Sequence, residues 1–578
     1  MEFFAHDEVV ARLERRANGD SQDVANMVAL AWQLRQRNCT QALVWAQQAE
    51  LLLVNGSYSH HIATLYALRI ALVRAEVMWL KGNIDEAGQI AKQVLLQPAH
   101  PHVNDHDILQ CLQADAHWLL GSLHNERGQL DARDSHWQTM RQLLLQASAP
   151  EKVTDRLGFI DAMIASTVSF RSTLDAEVLA QRYLNSDLSK IALATRAAID
   201  DFLGLQVRMG NDLGRAAMYW INAFDAYSKT GQLRRAIHTA NNIGNWFNKL
   251  NDPDTALKWT TLALNLARPT GWPQPIASCL IPSANAMRQM GKLDAAMALL
   301  QEALEILVNL RGSRSYAISL WSLGDMALAR DDYKTALDAF IRLQECADQL
   351  EQGDFQTNAR RGQAQALTLL GRYDEAIVVA EQALAMAATQ NDVQGRIATL
   401  SIIAKIHAKH SLPPPPAMQG DSAPLHFLHQ AYALANEIEG YTIPGDLLDA
   451  IAAAHAEAGD FRAAYEYSLR ANSAREKTNS VAATNRANAL QVQHQAEQAR
   501  AESEHLRELA QEQAQRAQVL QNTSSTLAHL GAIGQEITAQ LDPEAVCNTI
   551  KRHVQSLLEV SYFAIYLLDA DGEHLTSI

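Results

Sequence analysis

The chain has 578 residues, several times what one hydrophobic core needs, and its 48% hydrophobic and 20% charged residues are an ordinary soluble composition able to bury a large apolar area. Net charge is −15, from 64 acidic against 49 basic residues; no long basic run supplies the clustered Lys and Arg that a phosphate surface needs, which argues against a nucleic-acid partner. Five scattered cysteines without a CxxC pair, a charged N-terminus and the lack of any run of about 18 apolar residues argue against a disulfide framework, a signal peptide and a membrane-inserted segment, so the expectation is a cytoplasmic protein with reduced thiols.

Only 6% of residues are aromatic, while Ala, Leu and Gln abound, which favours helices from the start. Helix pairs are expected from residue 8 onward. Ala42, in TQALVWAQQAELLL, marks the first; GNIDEA from Gly82, ending at Ala87, and GQLDAR from Gly128 mark later ones. Between them, HPHVNDHD holds His100, His102, Asp105, His106 and Asp107, whose side chains suit zinc or nickel. Two prolines and the lack of helical spacing make it a solvated connection, and no metal site is assigned. Ala176 marks a further pair.

A strict register follows. NDLGRA starts at Asn211, NDPDTA at Asn251, GKLDAA at Gly291, DDYKTA at Asp331 and GRYDEA at Gly371, each 40 residues after the last. The sixth position is always alanine: Ala216, Ala256, Ala296, Ala336 and Ala376. Twelve residues earlier stand Gly204, Gly244, Ala284, Gly324 and Ala364; seven residues later stand Ala223, Ala263, Ala303, Leu343 and Ala383. Each unit reads as two helices joined by a short turn. The small residues lie where helices cross, and Ile243, Phe247, Leu323 and Phe340 fill the space around them. One pair cannot bury its own apolar face, so neighbours must stack.

Four prolines in SLPPPPAMQGDSAP, Ser411 to Pro424, predict a solvent loop inside one pair. GDFRAA from Gly459 closes the series, for about eleven pairs up to residue 475. A long continuous helix follows, from Ala474 to about Leu530. Val492, Leu506, Leu520, Leu527 and Leu541 fall at multiples of seven, and Leu509, Leu530 and Ile537 supply a second seam position, although Gln513, Arg516 and Thr523 also fall on it. This pattern predicts a parallel coiled coil and a homodimer. Asp542 then caps a further helix with Pro543 in its first turn, and SYFAIYLLDADGEHLTSI reads as a strand, an Asp-Gly turn and a second strand.

The spaced small residues resemble the tetratricopeptide repeat family, whose pattern places small residues at positions 8, 20 and 27. The usual period is about 34 residues; the longer one here implies longer helices. The resemblance implies an all-α, right-handed superhelical solenoid over residues 8–475, with a coiled-coil linker helix over 476–525. LDPEAV before a helix and FAIYLLDADGEHL after it look like the start of a GAF domain, over 526–578. The order repeats, coil, GAF-like segment resembles bacterial signalling proteins that end in a diguanylate cyclase (GGDEF) domain. A histidine kinase sensor region and a non-catalytic scaffold are the alternatives.

No phosphate loop, HExxH, GxSxG or GxGxxG occurs, so no catalytic residue and no cofactor is assigned. The most informative polar group lies on one repeat helix, where His238, Asn241, Asn245 and Asn248 follow i, i+3, i+7, i+10 and share a face. The family resemblance implies that these positions face the inner groove, where asparagine can grip a peptide backbone with its donor and its acceptor. Equivalent positions in the following repeats carry Asn285 and Arg288, Trp321 and Asp325, then Arg361 and Gln365. Together they are the expected groove for a protein, peptide or small-ligand partner.

Overall fold

The computed structural model describes residues 2–577 apart from 20–21, 57, 98–102, 149–152, 169–172, 189–190, 210–212, 416–417, 419–421, 439–442, 540–541, 558–563 and 570. The chain divides into two compact units, residues 1–493 and 494–578.

The first unit opens with α1 (Asp7–Gly19) and continues in helix pairs. These are α2 (Val24–Arg37) with α3 (Cys39–Asn55), α4 (His60–Leu80) with α5 (Ile84–Leu95), α6 (Val103–Glu126) with α7 (Leu130–Leu145), and α8 (Thr154–Val168) with α9 (Thr173–Leu184). Next come α10 (Leu193–Met209) with α11 (Leu213–Lys229), α12 (Leu233–Lys249) with α13 (Pro253–Ala267), α14 (Pro273–Gln289) with α15 (Leu293–Ile306), and α16 (Arg314–Ala329) with α17 (Tyr333–Leu350). The last are α18 (Gly353–Leu369) with α19 (Tyr373–Thr389), α20 (Val393–Lys409) with α21 (Ala423–Asn436), and α22 (Gly445–Glu457) with the start of α23 (Phe461–Thr538). Residues 411–415 leave the helix after α20, and part of the proline-rich segment lies outside the described residues.

The 40-residue period has a local geometric origin. Positive φ recurs every 20 residues, at Gly231, Asn251, Gly271 and Gly291, and again at Asp331, Glu351, Gly371 and Asn391. Each of these residues ends a helix by entering the left-handed region, which Gly adopts freely and Asn and Asp tolerate. That is why the repeated motif opens on Asn, Asp or Gly. The next residue restarts a helix: Asp252, Asp332 and Asp392 accept hydrogen bonds from the backbone N–H groups of Thr255 (3.2 Å), Thr335 (3.2 Å) and Gly395 (2.8 Å). Helices α12, α14, α18, α19 and α20 each have 17 residues, and a three-residue turn completes the unit.

The small residues of the register are where helices touch. Ala216, Ala256, Ala296, Ala336 and Ala376 are fully buried. A Cβ on Gly244 would stand 2.4 Å from Thr260 Cγ2 and 3.0 Å from the Ala256 carbonyl oxygen; one on Gly324 would stand 2.6 Å from Phe340 Cζ. Phe247, Phe340 and Leu343, all buried, fill the gaps that these close approaches leave.

Within this unit the solenoid coils back onto its own beginning. The Arg234 backbone N–H donates to Gln36 Oε1 at 3.4 Å, and Arg37 Nη2 donates to the Lys229 carbonyl at 3.4 Å. One turn further along, Gly82 lies against Pro273 and Leu310, and Gly128 lies against the Gln352 side chain. The turns of the early pairs therefore rest on the starts of α12, α14 and α18.

In the second unit, Asp542 accepts from the Ala545 N–H at 3.2 Å and starts α24 (Pro543–Leu557). Glu536 binds Arg552 at 3.1 Å and His553 at 2.7 Å, over the buried side chains of Ile533, Cys547 and Thr549. Strand β1 (Tyr566–Leu568) pairs antiparallel with β2 (Leu575–Ser577), Leu567 opposite Thr576, across a turn in which Gly572 has positive φ. Among the described residues strand is confined to this hairpin. Leu520, Leu527 and Leu530 are half or more exposed, and Leu541 lies outside the described residues. No described helix is long and apolar enough to cross a membrane.

Candidate functional site

The N-terminal segment ahead of α1 is non-helical and is held inside the first pairs of the solenoid, with Phe3, Phe4 and Ala5 all buried. Its backbone is read by side chains of α2. The Gln33 amide grips it twice, donating to the Glu2 carbonyl at 2.8 Å and accepting from the Ala5 N–H at 2.9 Å. Trp32 Nε1 also donates to Glu2 O at 3.2 Å, Arg35 Nη2 to Phe3 O at 3.1 Å and Arg37 Nη2 to Ala5 O at 2.7 Å. The Phe3 ring meets Phe159 edge-on at 5.3 Å and Trp118 at 6.2 Å, while the Arg35 guanidinium lies 4.3 Å over Phe4.

A buried ionic ladder across four helices supports this segment. Arg35 of α2 meets Glu76 of α4 at 2.7 Å, and Gln36 donates to the second Glu76 oxygen at 2.7 Å. Asp115 of α6 takes Arg69 of α4 at 2.6 Å and Arg156 of α8 at 2.9 Å. Burial alone would raise the Asp115 carboxyl, but Arg156 and Arg69 outweigh it and hold it below its ordinary value.

Beside the segment lies a cavity of about 380 Å³. Phe4, Trp79, Trp118, Trp137, Trp220 and Trp246 form its apolar walls. Arg133, Arg208, Arg234, Arg235 and Lys249 bring positive charge, against Glu126 and Asp201. Arg234 pairs with Glu126 and lies 4.6 Å over Trp79; Arg235 lies 5.4 Å over Trp118. Burial, followed by the nearness of Arg235, pushes Arg234 down to about 10.

Two of the sequence-predicted residues line this cavity, His238 and Asn245. His238 is open to the water of the cavity yet enclosed by protein on the scale over which its charge acts. That enclosure, with Arg234 and Arg235 beside it, pushes the imidazole down to about 4. Asn241 and Asn248 are buried, and Asn248 Nδ2 donates to the Pro282 carbonyl at 2.7 Å, so it ties α12 to α14. Asn285 is half-buried on α14. Further along, Trp321 donates to Asp325, which faces Arg361 and Arg288; burial outweighs both cations and pushes the Asp325 carboxyl up to about 6. Arg361 and Gln365 line a shallow depression of about 430 Å³ with Ser401 and Lys405. The sequence-predicted residues thus fall into two stretches, one at the cavity and one on the repeats after it. His100 and His102 lie outside the described residues, and no cluster of three His, Cys, Asp or Glu is placed to hold a metal among those described.

Sequence reasoning passed over the N-terminal segment, the ionic ladder and the tryptophan walls. A usable signal was present in Phe3-Phe4 immediately before the first helix, and in the opposite charges set 41 residues apart at Arg35 and Glu76 and at Asp115 and Arg156.

Residues 277–349, from α14 to α17, match the tetratricopeptide repeat family. No curated protein sequence matches the chain. Among solved structures, the apo form of the quorum sensor NprR from B. thuringiensis is 13% identical with a TM-score of 0.45, over 62% of this chain and 96% of that one. A Rap protein complexed with competence and sporulation factor is 12% identical with a TM-score of 0.43, over 72% and 99%. Aspartyl phosphate phosphatase F from Bacillus subtilis is 11% identical with a TM-score of 0.39, over 79% and 94%.

Proposed function

We propose that this chain is a regulatory binding module: the interior of its first helix pairs holds an extended peptide of a partner, and α23 carries the bound state toward the GAF-like segment and an output domain of diguanylate cyclase type. The observation that supports the first half is the seating of Glu2–Ala5. Five side-chain bonds read main-chain groups, and two phenylalanines are buried among aromatic rings and the Arg35 guanidinium. Bonds of this kind contribute about 0.5–1.5 kcal/mol each and a buried Phe about 1.5–3 kcal/mol. A surface that holds its own chain this way has the chemistry to hold another. Gln33 does on α2 what asparagines were expected to do on α12.

The second half rests on the order of segments alone. A histidine kinase sensor region or a non-catalytic scaffold would use the same peptide surface. Assaying the full-length protein for cyclic di-GMP formation from GTP separates these outputs, and the absence of that product would remove the cyclase.

The peptide reading is tested by removing residues 1–6 and titrating the shortened chain with a labelled hexapeptide of that sequence. Saturable binding, weakened about tenfold or more when the peptide carries Phe3→Ala, is expected. No binding at millimolar peptide would defeat the proposal.

A further inference from the structure

We infer that the cavity beside the N-terminal segment is a binding site for a small anion with a flat aromatic body, of which an aryl carboxylate is the simplest member. This goes beyond the peptide reading: it shares the Phe4 and Trp118 walls with that surface, but its charged groups, Arg208 and Lys249, are not part of it. At about 380 Å³ the cavity is within the size range of small-molecule sites. Its walls are flat, with Trp118 stacked on Trp137 at 5.3 Å.

Charge decides the class of ligand. In a chain of net charge −15, this cavity collects five cations against two acids. Three cations already have acidic neighbours: Arg234 has Glu126, Arg235 has Asp201, and Arg133 has Asp134 at 2.7 Å. Arg208 and Lys249 have none among the described residues. Both instead lie 5.7 Å from the Trp246 ring centre, and Lys249 is held below its ordinary value by burial and then by Arg208. Two like charges beside one indole, without a counterion among the described residues, are stabilised by a bound anion.

A carboxylate is a strong acceptor for both cations. The aromatic body stacks on tryptophan while the charge meets Arg208 and Lys249.

The test titrates the full chain with 2-naphthoate, its neutral amide and inorganic phosphate, read by tryptophan fluorescence and calorimetry. The acid should bind about tenfold or more tighter than the amide, and tighter than phosphate. The double variant Arg208→Gln, Lys249→Gln should lose about tenfold or more in affinity for the acid. Its melting temperature and its hold on the Phe3–Phe4 peptide, measured on the shortened chain, should stay unchanged, so failure here is distinct from failure of the peptide reading. If the double variant unfolds, Lys249→Gln alone, on the solvent-accessible lining of the cavity, serves with the same expected direction. Equal binding of acid and amide, phosphate binding tighter than the acid, unchanged affinity in the folded variant, or no binding of the acid at millimolar concentration would each overturn the inference.

Discussion

At Asp115 two arginines from different helices meet one carboxylate almost without solvent. Removing that shared carboxylate leaves both guanidinium groups buried without a counter-charge. Asp115→Asn should therefore cost about 3–5 kcal/mol in a denaturant titration. Because the folded carboxyl is held below its ordinary 3.8, its contribution is present above that pH and is lost as pH falls through the lowered value. Asp325 has the opposite sign. Raised from 3.8 to about 6, it binds a proton in the folded state that the unfolded state has released, so stability declines as pH rises through that window. His238, lowered from 6.5 to about 4, makes stability rise over an overlapping window. The two offset each other in the wild type, so the informative measurement is a difference: Asp325→Asn should make the change in stability from pH 4 to 6 more steeply upward than in the wild type. A parallel curve would remove Asp325 from the account. Glu351 is a third residue-scale case, since it holds φ 53° where the neighbouring turns use Gly, Asn or Asp. Glu351→Gly should raise stability by about 0.5–1 kcal/mol, read as a higher denaturation midpoint.

At the scale of elements, the strict 40-residue register was legible because its markers are chemically distinctive. Asn251 can take a positive φ, Asp252 can cap, and Ala256 leaves room for a crossing, all within six residues. Ala296→Leu or Ala336→Leu, at fully buried crossings, should each destabilise by about 1–3 kcal/mol through overpacking, and unchanged melting of both would displace the register. The early pairs were harder to read. Helix α4 has 21 residues, α6 has 24 and α9 has 12, so no fixed period survives there. The ladder from Arg35 through Glu76 and Asp115 to Arg156 lies on four helices and forms no local pattern. The Phe3-Phe4 pair was read only as part of an N-terminus too charged for a signal peptide; its burial depends on a surface assembled from α2, α6 and α8. Asn248 shows the converse. Helical spacing put it on the expected face, but contact with the Pro282 carbonyl on the next pair buries it.

At the scale of the molecule, α23 runs from Phe461 to Thr538 and leaves Leu520, Leu527 and Leu530 exposed. We expect a partner helix to cover such a row, and the heptad spacing makes a second copy the expected one. Sedimentation of chains with and without residues 474–541 should show a dimer only when the segment is present; monomers for both across micromolar concentrations would defeat the relay. The coiling of α12 back onto α2 was not legible, because it joins residues about 200 positions apart through single contacts such as Arg234 with Gln36. It also makes the first pairs an enclosed space, which is why the peptide surface is the central claim. Hydrogen exchange measures it most directly. In the chain lacking residues 1–6, amides of α2 should lose protection, and adding the hexapeptide should restore it there and in α6 and α8. Restored protection confined to the later repeats, or none at saturating peptide, would contradict the account.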